Sequence, residues 1–220
     1  MKEKIILSWS SGKDSSLALY ELMKQGSYDI TLLTTITGNY ERISMHGVRE
    51  ALLEKQAESL GCYLEKVYIT PESTNEDYQK KMEEVMNKYK DLGVTKVAFG
   101  DIFLEDIRRY REENLKKAEM EAIFPLWGRE TKEIANTFIS LGFKSIITCV
   151  DTKVLSGDFV GRIYDKDFIA ELPENVDPCG ENGEFHTFVF DGPIFRERIN
   201  FSIGEKVLRD ERFQFCDLVL

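Results

Sequence analysis

The sequence has no long apolar segment. Of 220 residues, 42% are hydrophobic and 31% charged, and no apolar run approaches the roughly 20 residues that a membrane-spanning helix needs. The first residues pass from Met1-Lys2-Glu3-Lys4 into a short strand-like run without a long apolar region or a cleavage site, so we expect no signal peptide. These absences favour a soluble cytoplasmic protein with no membrane partner.

The sequence also has no paired cysteine motif and little excess of positive charge. The cysteines are Cys62, Cys149, Cys179 and Cys216, and no two form a C-x-x-C pair, so zinc and redox motifs have no support. Free thiols in a cytosolic protein are the simplest interpretation. Lys and Arg number 29 against 39 Asp and Glu, which gives a net charge of −10. This balance argues against a broad nucleic-acid surface, and leaves open a local basic patch at Arg108, Arg109 and Arg111.

The most informative segment that is present is Ser10-Ser11-Gly12-Lys13-Asp14-Ser15. It lies between the apolar run 5–9 and residues 16–23, which have helical spacing. A turn between a strand and a helix exposes backbone N–H groups where the helix dipole favours an anion, and Lys13 adds a charge for phosphate. Asp14 stands where a Walker A loop has Ser or Thr, so this is a different loop. The alternative is a Ser/Gly turn with a helix cap and a solvated lysine.

Strand-like and helical patterns alternate through the first half of the chain. The sequence predicts strands over 4–9, 29–37, 62–69 and 94–99, with helices between them. One helix stops near Gly61, and a charged helix opens at Pro71-Glu72-Ser73-Thr74 and runs to about Asp91. This alternation is typical of an α/β fold, with a mainly parallel sheet and helices on both faces. Ligands of such sheets bind beyond the carboxyl ends of the strands, so we expect Ser10, Thr37 and Gly100-Asp101 to converge on one site.

The second half is less regular. We predict a helix over 131–141, strands over 145–150 and 213–220, and a loop, strand and tight turn between Cys179 and Pro193. A domain boundary near Pro125 would separate domain 1–125 from a smaller mixed α+β domain, 126–220. No repeats or low-complexity segments interrupt this order.

Two further clusters carry chemistry. The first joins Glu181, Asn182, Glu184, His186 and Thr187. On a strand Glu184 and His186 share a face; carboxylates can bind Mg²⁺ or an amine, and histidine can move protons near neutral pH. The alternative is a polar turn with a hydrogen-bonded core histidine.

The other cluster begins with Gly100-Asp101 at a strand end. The helix that follows brings Arg108, Arg111 and Glu112 onto one face, where an arginine pair can clamp phosphate or carboxylate. The alternative is a solvated helix with internal Glu–Arg pairs, which we favour for Glu105, Arg109 and Glu113.

Taken together, five segments resemble the diphthine–ammonia ligase family, within the PP-loop ATP pyrophosphatase superfamily. In chain order they are Ser10 to Ser15, Ile43-Ser44-Met45-His46-Gly47-Val48-Arg49, Gly100-Asp101-Ile102, Phe124-Pro125-Leu126-Trp127 and Cys179-Gly180-Glu181-Asn182-Gly183-Glu184-Phe185-His186-Thr187. The loop marks only the superfamily, and the last string is the most family-specific. Two departures are visible: Ser11 replaces the usual first glycine, and Gly100-Asp101-Ile102 replaces Gly-Ala-Ile, as in a divergent, bacterial-type branch.

The resemblance implies an adenine-nucleotide α-hydrolase-like domain and a smaller C-terminal domain. It implies ATP-dependent amidation of diphthine, a modified histidine of elongation factor 2, with ATP and Mg²⁺ as cofactors. The expected ATP-binding residues are Ser10, Ser11, Gly12, Lys13, Asp14, Ser15, Thr34, Thr35, Ile36, Gly100 and Asp101. The expected catalytic residues are Lys13, Asp14, Glu181, Glu184 and His186, with Asp14 as the metal ligand. The expected substrate-binding residues are His46, Arg108, Arg111, Glu112, Asn182 and Thr187.

In the expected reaction a substrate carboxylate attacks the α-phosphorus of ATP and pyrophosphate leaves. Ammonia then attacks the acyl-adenylate and AMP leaves. The chain has no room for a separate glutaminase domain, so we expect free ammonium as the nitrogen source; homodimerisation stays open. The alternatives are a nucleotide-binding regulatory protein of the same fold, or a PP-loop enzyme acting on tRNA or a small molecule. The net charge and the absence of C-x-x-C weigh against tRNA.

Overall fold

The computed structural model describes residues 2–38, 42–43, 46–70 and 72–220, and contains two β-sheets with helices around them. The strands are β1 (Glu3–Ser8), β2 (Tyr28–Thr37), β3 (Arg42–Ile43), β4 (Tyr63–Ile69), β5 (Lys96–Ala98), β6 (Glu121–Ile123), β7 (Lys144–Asp151), β8 (Phe185–Asp191), β9 (Ser202–Arg209) and β10 (Phe213–Val219). The helices are α1 (Lys13–Gln25), α2 (Glu50–Leu60), α3 (Asn75–Asp91), α4 (Glu105–Lys117), α5 (Thr131–Ser140) and α6 (Lys166–Glu171), with a 3₁₀ turn at Gly157–Phe159.

The first sheet is parallel except for its shortest strand. β4 pairs with β2, β2 with β1, β1 with β5 and β5 with β6, all in parallel, whereas β3 is antiparallel to the end of β2. Parallel strands need crossover connections, and α1, α2, α3 and α4 lie between them along the chain. The carboxyl ends of β1, β2 and β5 therefore meet at one edge of the sheet.

The second sheet is antiparallel, in the order β8, β7, β10, β9. Its strand β7 is buried along nearly its whole length, whereas β9 is an exposed edge strand. β8 packs against α1 at the end of the first sheet. The C-terminal sheet thereby reaches the carboxyl edge of the parallel sheet.

One hydrophobic core joins the two sheets. It includes Ile5 and Leu7 of β1, Leu17 of α1, and Phe188 and Leu218 of the second sheet, each at most 2% exposed. A second cluster on the other face of the parallel sheet is built around β5, α3 and the end of α4. The predicted boundary near residue 125 stays a prediction.

The predicted α/β class is confirmed, and the long elements lie close to their predicted bounds. α2 ends at Leu60, and Gly61 caps it in a left-handed conformation (φ 66°) in which its backbone N–H donates to carbonyls of the last turn. Thr74 forms a capping box with Asp77, so α3 begins at residue 75, after the predicted start at Pro71, which lies outside the described residues. Among the described helices, none combines the length and apolar character needed to cross a lipid bilayer.

Candidate functional site

The loop between β1 and α1 lies at the carboxyl edge of the parallel sheet. The Ser10 and Ser15 hydroxyls are 3.1 Å apart, and the Ser15 hydroxyl donates to the Gly12 carbonyl at 3.0 Å. Gly12 caps α1 without a side chain, so backbone N–H groups begin the helix there. Such a helix start is suited to an anion.

Ser11 has a backbone conformation that normally favours glycine. Its φ is 67°, in the left-handed region that L residues with a Cβ rarely adopt. The side chain is fully buried, and its Oγ has no hydrogen-bond partner among the described residues. Ser11 thus forms a turn of the kind that glycine favours, at the cost of local backbone strain.

Lys13 is buried at the start of α1. Its Nζ contacts both oxygens of Asp14, at 2.9 and 2.7 Å, and donates to the Cys179 carbonyl. The rings of Tyr164 and Phe185 lie 5.8 and 5.7 Å from Nζ. Burial alone would lower the pKa of Lys13, but the Asp14 carboxylate, with Cys179 and Glu181, raises it, so the lysine is cationic.

Strand β8 fixes this loop from the other sheet. The Lys13 backbone N–H donates to Thr187 Oγ1 at 3.0 Å, and the Val189 N–H donates to the Ser11 carbonyl at 3.0 Å. A Cβ at Gly12 would lie 3.2 Å from the Thr187 carbonyl oxygen. The loop and the distant string that ends at Thr187 are therefore parts of one site.

Gln56 was not among the predicted site residues, and it supports the loop from α2. It is fully buried; its Nε2 donates to the carbonyls of Ser11 (3.0 Å) and Val189 (2.6 Å), and its Oε1 accepts from Trp9 Nε1 (3.1 Å). The sequence pattern that could have identified Gln56 is a glutamine on the apolar face of a helix, one turn after Leu52.

The two histidines of the chain lie together beside the loop. The ring centroids of His46 and His186 are 4.4 Å apart, and a Cβ at Gly12 would lie 3.4 Å from His46 Cε1. Burial lowers the pKa of His186 to about 4, with Lys13 acting in the same direction. Burial, then His186, lowers the pKa of His46 well below its ordinary value. Both imidazoles are neutral at physiological pH.

Glu181 reaches the end of β5. Its Oε1 accepts from the Ile102 backbone N–H at 2.7 Å. Burial raises the pKa of Glu181 to about 7; the bond from Ile102 opposes the rise, whereas Asp14 and Asp101 add to it. This carboxyl group therefore titrates near physiological pH, as a general base requires.

Asp101 and Arg111 pair with each other. Arg111 Nε lies 2.6 Å from Asp101 Oδ2, and its guanidinium lies over the Phe99 ring. Arg108 instead pairs with Glu112 at 2.7 Å. The predicted arginine clamp is thus divided between two separate ion pairs, and its role in substrate binding stays a prediction.

Glu184 holds the turn that precedes β8. Its Oε1 accepts from the Asp177 backbone N–H and from Asn182 Nδ2, each at 3.0 Å. Asp177 in turn accepts from the backbone N–H groups of Cys179 and Glu181. These bonds fix the segment whose Cys179 carbonyl contacts Lys13.

The predicted adenine-binding residues lie on β2 next to the loop. On one edge of β2 they are paired with β4. On the other edge, the pairing of β2 with β1 ends at Leu33, and its pairing with β3 begins at Ile36. No described strand therefore pairs with Thr34 and Thr35 on that edge. Gly100 lies against α1, since a Cβ there would come within 3.0 Å of the Ser15 backbone nitrogen.

The structure therefore brings most of the predicted residues together at one edge. The loop, its neighbours His46, His186 and Thr187, and the acidic residues Asp101, Glu181 and Glu184 lie around the start of α1. Arg108 is instead half-buried, with its guanidinium over the Phe124 and Trp127 rings, and its partner Glu112 is exposed. Within the described residues, no group of three His, Cys, Asp or Glu side chains could hold a metal ion. Mg²⁺ usually binds only one or two carboxylates, together with phosphates and waters. Asp14, whose side chain is about a quarter exposed, can supply one such carboxylate.

This parallel sheet, with its strand–loop–helix and a lysine at the helix start, defines a protein of the PP-loop nucleotide-binding class. Residues 3–121 match the family model of the diphthamide synthase N-terminal domain, and residues 130–218 match that of the C-terminal domain. The chain belongs to the diphthine–ammonia ligase family, and by this membership it is an ATP-dependent ligase.

Three curated relatives are all described as diphthine–ammonia ligases. The human protein is 25% identical over 225 residues, covering 90% of this chain and 83% of its own length. The zebrafish protein is 25% identical, covering 92% and 88%. The fission yeast protein (Schizosaccharomyces pombe) is 28% identical over 144 residues, and the match covers 63% of this chain and 23% of that longer protein.

A solved structure is also similar. It is described as a predicted subunit of tRNA methyltransferase from Methanocaldococcus jannaschii, with 20% identity and a TM-score of 0.44, covering 65% of this chain and 80% of that one.

Proposed function

We propose that this ligase adenylates the carboxylate of a diphthine residue on elongation factor 2 and amidates it with free ammonium. The observation that carries the proposal is the bond between the Lys13 N–H and Thr187 Oγ1. It joins the nucleotide loop to the string Gly180–Thr187, which is the most family-specific part of the sequence. The identities of the acceptor and of the nitrogen donor are inferred from the names of the relatives, which are diphthine–ammonia ligases.

ATP binds with its phosphates at the start of α1. The backbone N–H groups and the helix dipole favour the phosphate charge, and the Lys13 cation stabilises the negative charge that develops as pyrophosphate leaves. The edge of β2 at Thr34 and Thr35, which no described strand pairs, offers backbone groups to adenine. Mg²⁺, when bound, neutralises phosphate charge. Asp14 is the residue that would hold it.

The acceptor and ammonium enter from the side of Glu181 and His186. Glu181, with its pKa of about 7, is the general base of the site, since it can accept a proton near neutral pH. The kcat/KM of the native chain should rise as the pH is raised through 7. This rise should be absent in Glu181→Gln.

The direct experiment supplies ATP, Mg²⁺, ammonium and diphthine-bearing elongation factor 2, and measures AMP, pyrophosphate and the amide. Lys13→Ala should abolish AMP formation, whereas Lys24→Ala, at the exposed other end of the same helix, should preserve it. AMP formation that survives Lys13→Ala would refute the assignment. A regulatory nucleotide-binding protein would return ATP unchanged.

We also propose that the reaction takes place in the cytoplasm. The four cysteines are free, as expected for a reducing compartment. Fractionation of cells, followed by immunodetection of the chain, tests this location.

A further inference from the structure

One oxygen of the Glu184 carboxylate accepts no hydrogen bond within the part of the chain that the structure describes. Glu184 is 5% exposed, and its Oε2 has no hydrogen-bond partner among the described residues, although Oε1 accepts two bonds. A buried carboxylate oxygen without a donor is costly, and a cationic donor is the partner that best offsets this cost. The orphaned oxygen therefore indicates a site for a small cation.

This oxygen belongs to a row of side chains that leads to the nucleotide loop. Glu184 lies directly before β8 and two residues before His186, whereas the Phe185 ring and the Thr187 hydroxyl lie beside Lys13. The Glu184 charge acts on His186, whose ring lies against His46, and His46 lies against Gly12. A ligand at Glu184 is thus next to groups that reach the proposed site of adenylation.

We propose that Glu184 Oε2 and the imidazole of His186 bind the ammonium ion that serves as nitrogen donor. The inference rests on the proposed function. Ammonium combines a positive charge with N–H donors, which matches a carboxylate oxygen and an imidazole nitrogen as two acceptors. Potassium has the charge without the donors, and water has the donors without the charge.

The first test is binding, which needs neither ATP nor the acceptor. The thermal midpoint of the full chain is measured in ammonium, potassium and tetramethylammonium chloride at equal ionic strength. Ammonium should raise the midpoint above both other salts, because a ligand of the native state stabilises it. Glu184→Gln keeps Oε1 as an acceptor and replaces Oε2 by an amide donor, so it should remove the ammonium increment. Glu58→Gln makes the same chemical change at an exposed residue of α2, and this variant should retain the ammonium-induced increase in the thermal midpoint.

The second test is kinetic. In Glu184→Gln the KM for ammonium should rise about tenfold or more, since a charged hydrogen bond is lost, while the KM for ATP stays unchanged. Equal midpoints in potassium and ammonium, or an unchanged ammonium KM in Glu184→Gln, would overturn the site. An ammonium-specific midpoint shift in a chain that forms no AMP would overturn the proposed function and leave the ammonium site standing.

Discussion

Gln56 shows how one buried polar residue can hold a loop in place. Its side chain satisfies the carbonyls of Ser11 and Val189 and the indole N–H of Trp9. We expect Gln56→Leu to lower the free energy of unfolding by about 2–4 kcal/mol, because it leaves buried polar groups unsatisfied. The KM for ATP should rise as well, because the loop loses its support.

Urea denaturation and ATP kinetics measure these two effects. Trp9→Phe is the matched control, since it removes only one of the three bonds and leaves the loop carbonyl of Ser11 bonded. A Gln56→Leu variant whose ATP kinetics match those of Trp9→Phe would contradict the positioning role.

His186 gives the molecule a predictable response to acid. An unfolded histidine titrates near pH 6.5, whereas burial lowers the pKa of His186 to about 4. Between these values the unfolded chain binds a proton that the folded chain does not, so stability falls as the pH falls from 6.5 towards 4. The loss relative to His186→Asn should be on the order of 2 kcal/mol.

Chemical denaturation at pH 7 and at pH 4.5 measures this difference. The comparison with the variant is necessary because Glu181, whose pKa is raised to about 7, contributes in the opposite direction in both proteins. Equal losses in the native chain and in His186→Asn would show that the histidine does not titrate as described.

At the scale of elements, the contact between the end of β5 and the start of α1 fixes the geometry of the nucleotide site. A Cβ at Gly100 would lie 3.0 Å from the Asp14 carbonyl carbon and from the Ser15 nitrogen. Because helix backbone cannot yield locally, Gly100→Ala should displace the first turn of α1. We expect a loss of about 1–3 kcal/mol of stability and a higher KM for ATP.

Thermal unfolding and ATP titration test this contact. Gly157→Ala is the control, because the nearest neighbours of its Cβ would be side-chain atoms, of Gln214 at 3.4 Å and of Thr152 at 3.7 Å, with no backbone among them. Similar effects of the two substitutions would contradict the proposed contact.

The long elements could be predicted because local patterns determine them. β1, β2, β4 and α2 have clear periodicity or caps, and they lie within a few residues of their predicted bounds. β6 and α6 were missed since they are three and six residues long, too short for periodicity. The edge strand β9 was missed because it is exposed along its length and has no buried alternation.

For the candidate site, the sequence predicted which segments converge but not how their side chains pair. The strand ends indicated one edge of the sheet, and the loop and residues 181–187 do meet there. Pairings across the fold, such as Asp101 with Arg111, depend on tertiary distances that no local spacing contains. Gln56 was missed for the same reason, since its partners Trp9 and Ser11 lie in the loop between β1 and α1 and its partner Val189 lies in β8, all far from α2 along the chain.

At the scale of the whole molecule, the two sheets should unfold together. One core contains side chains from β1, α1 and α2 together with side chains from β7, β8 and β10, so neither half buries its apolar face alone. We expect a single transition in calorimetry, with a ratio of calorimetric to van't Hoff enthalpy near ~1. Two resolved transitions would instead indicate that the predicted domains 1–125 and 126–220 fold independently.

The bonds between the nucleotide loop and β8 also bear on when the protein becomes active during synthesis. Lys13 is translated early, but Thr187 and Val189, which bond the loop, follow more than 170 residues later along the chain. Closing such a long-range contact must wait until the distant strand exists. A nascent chain on the ribosome therefore carries an incomplete loop and cannot consume ATP before its C-terminal sheet has emerged and folded.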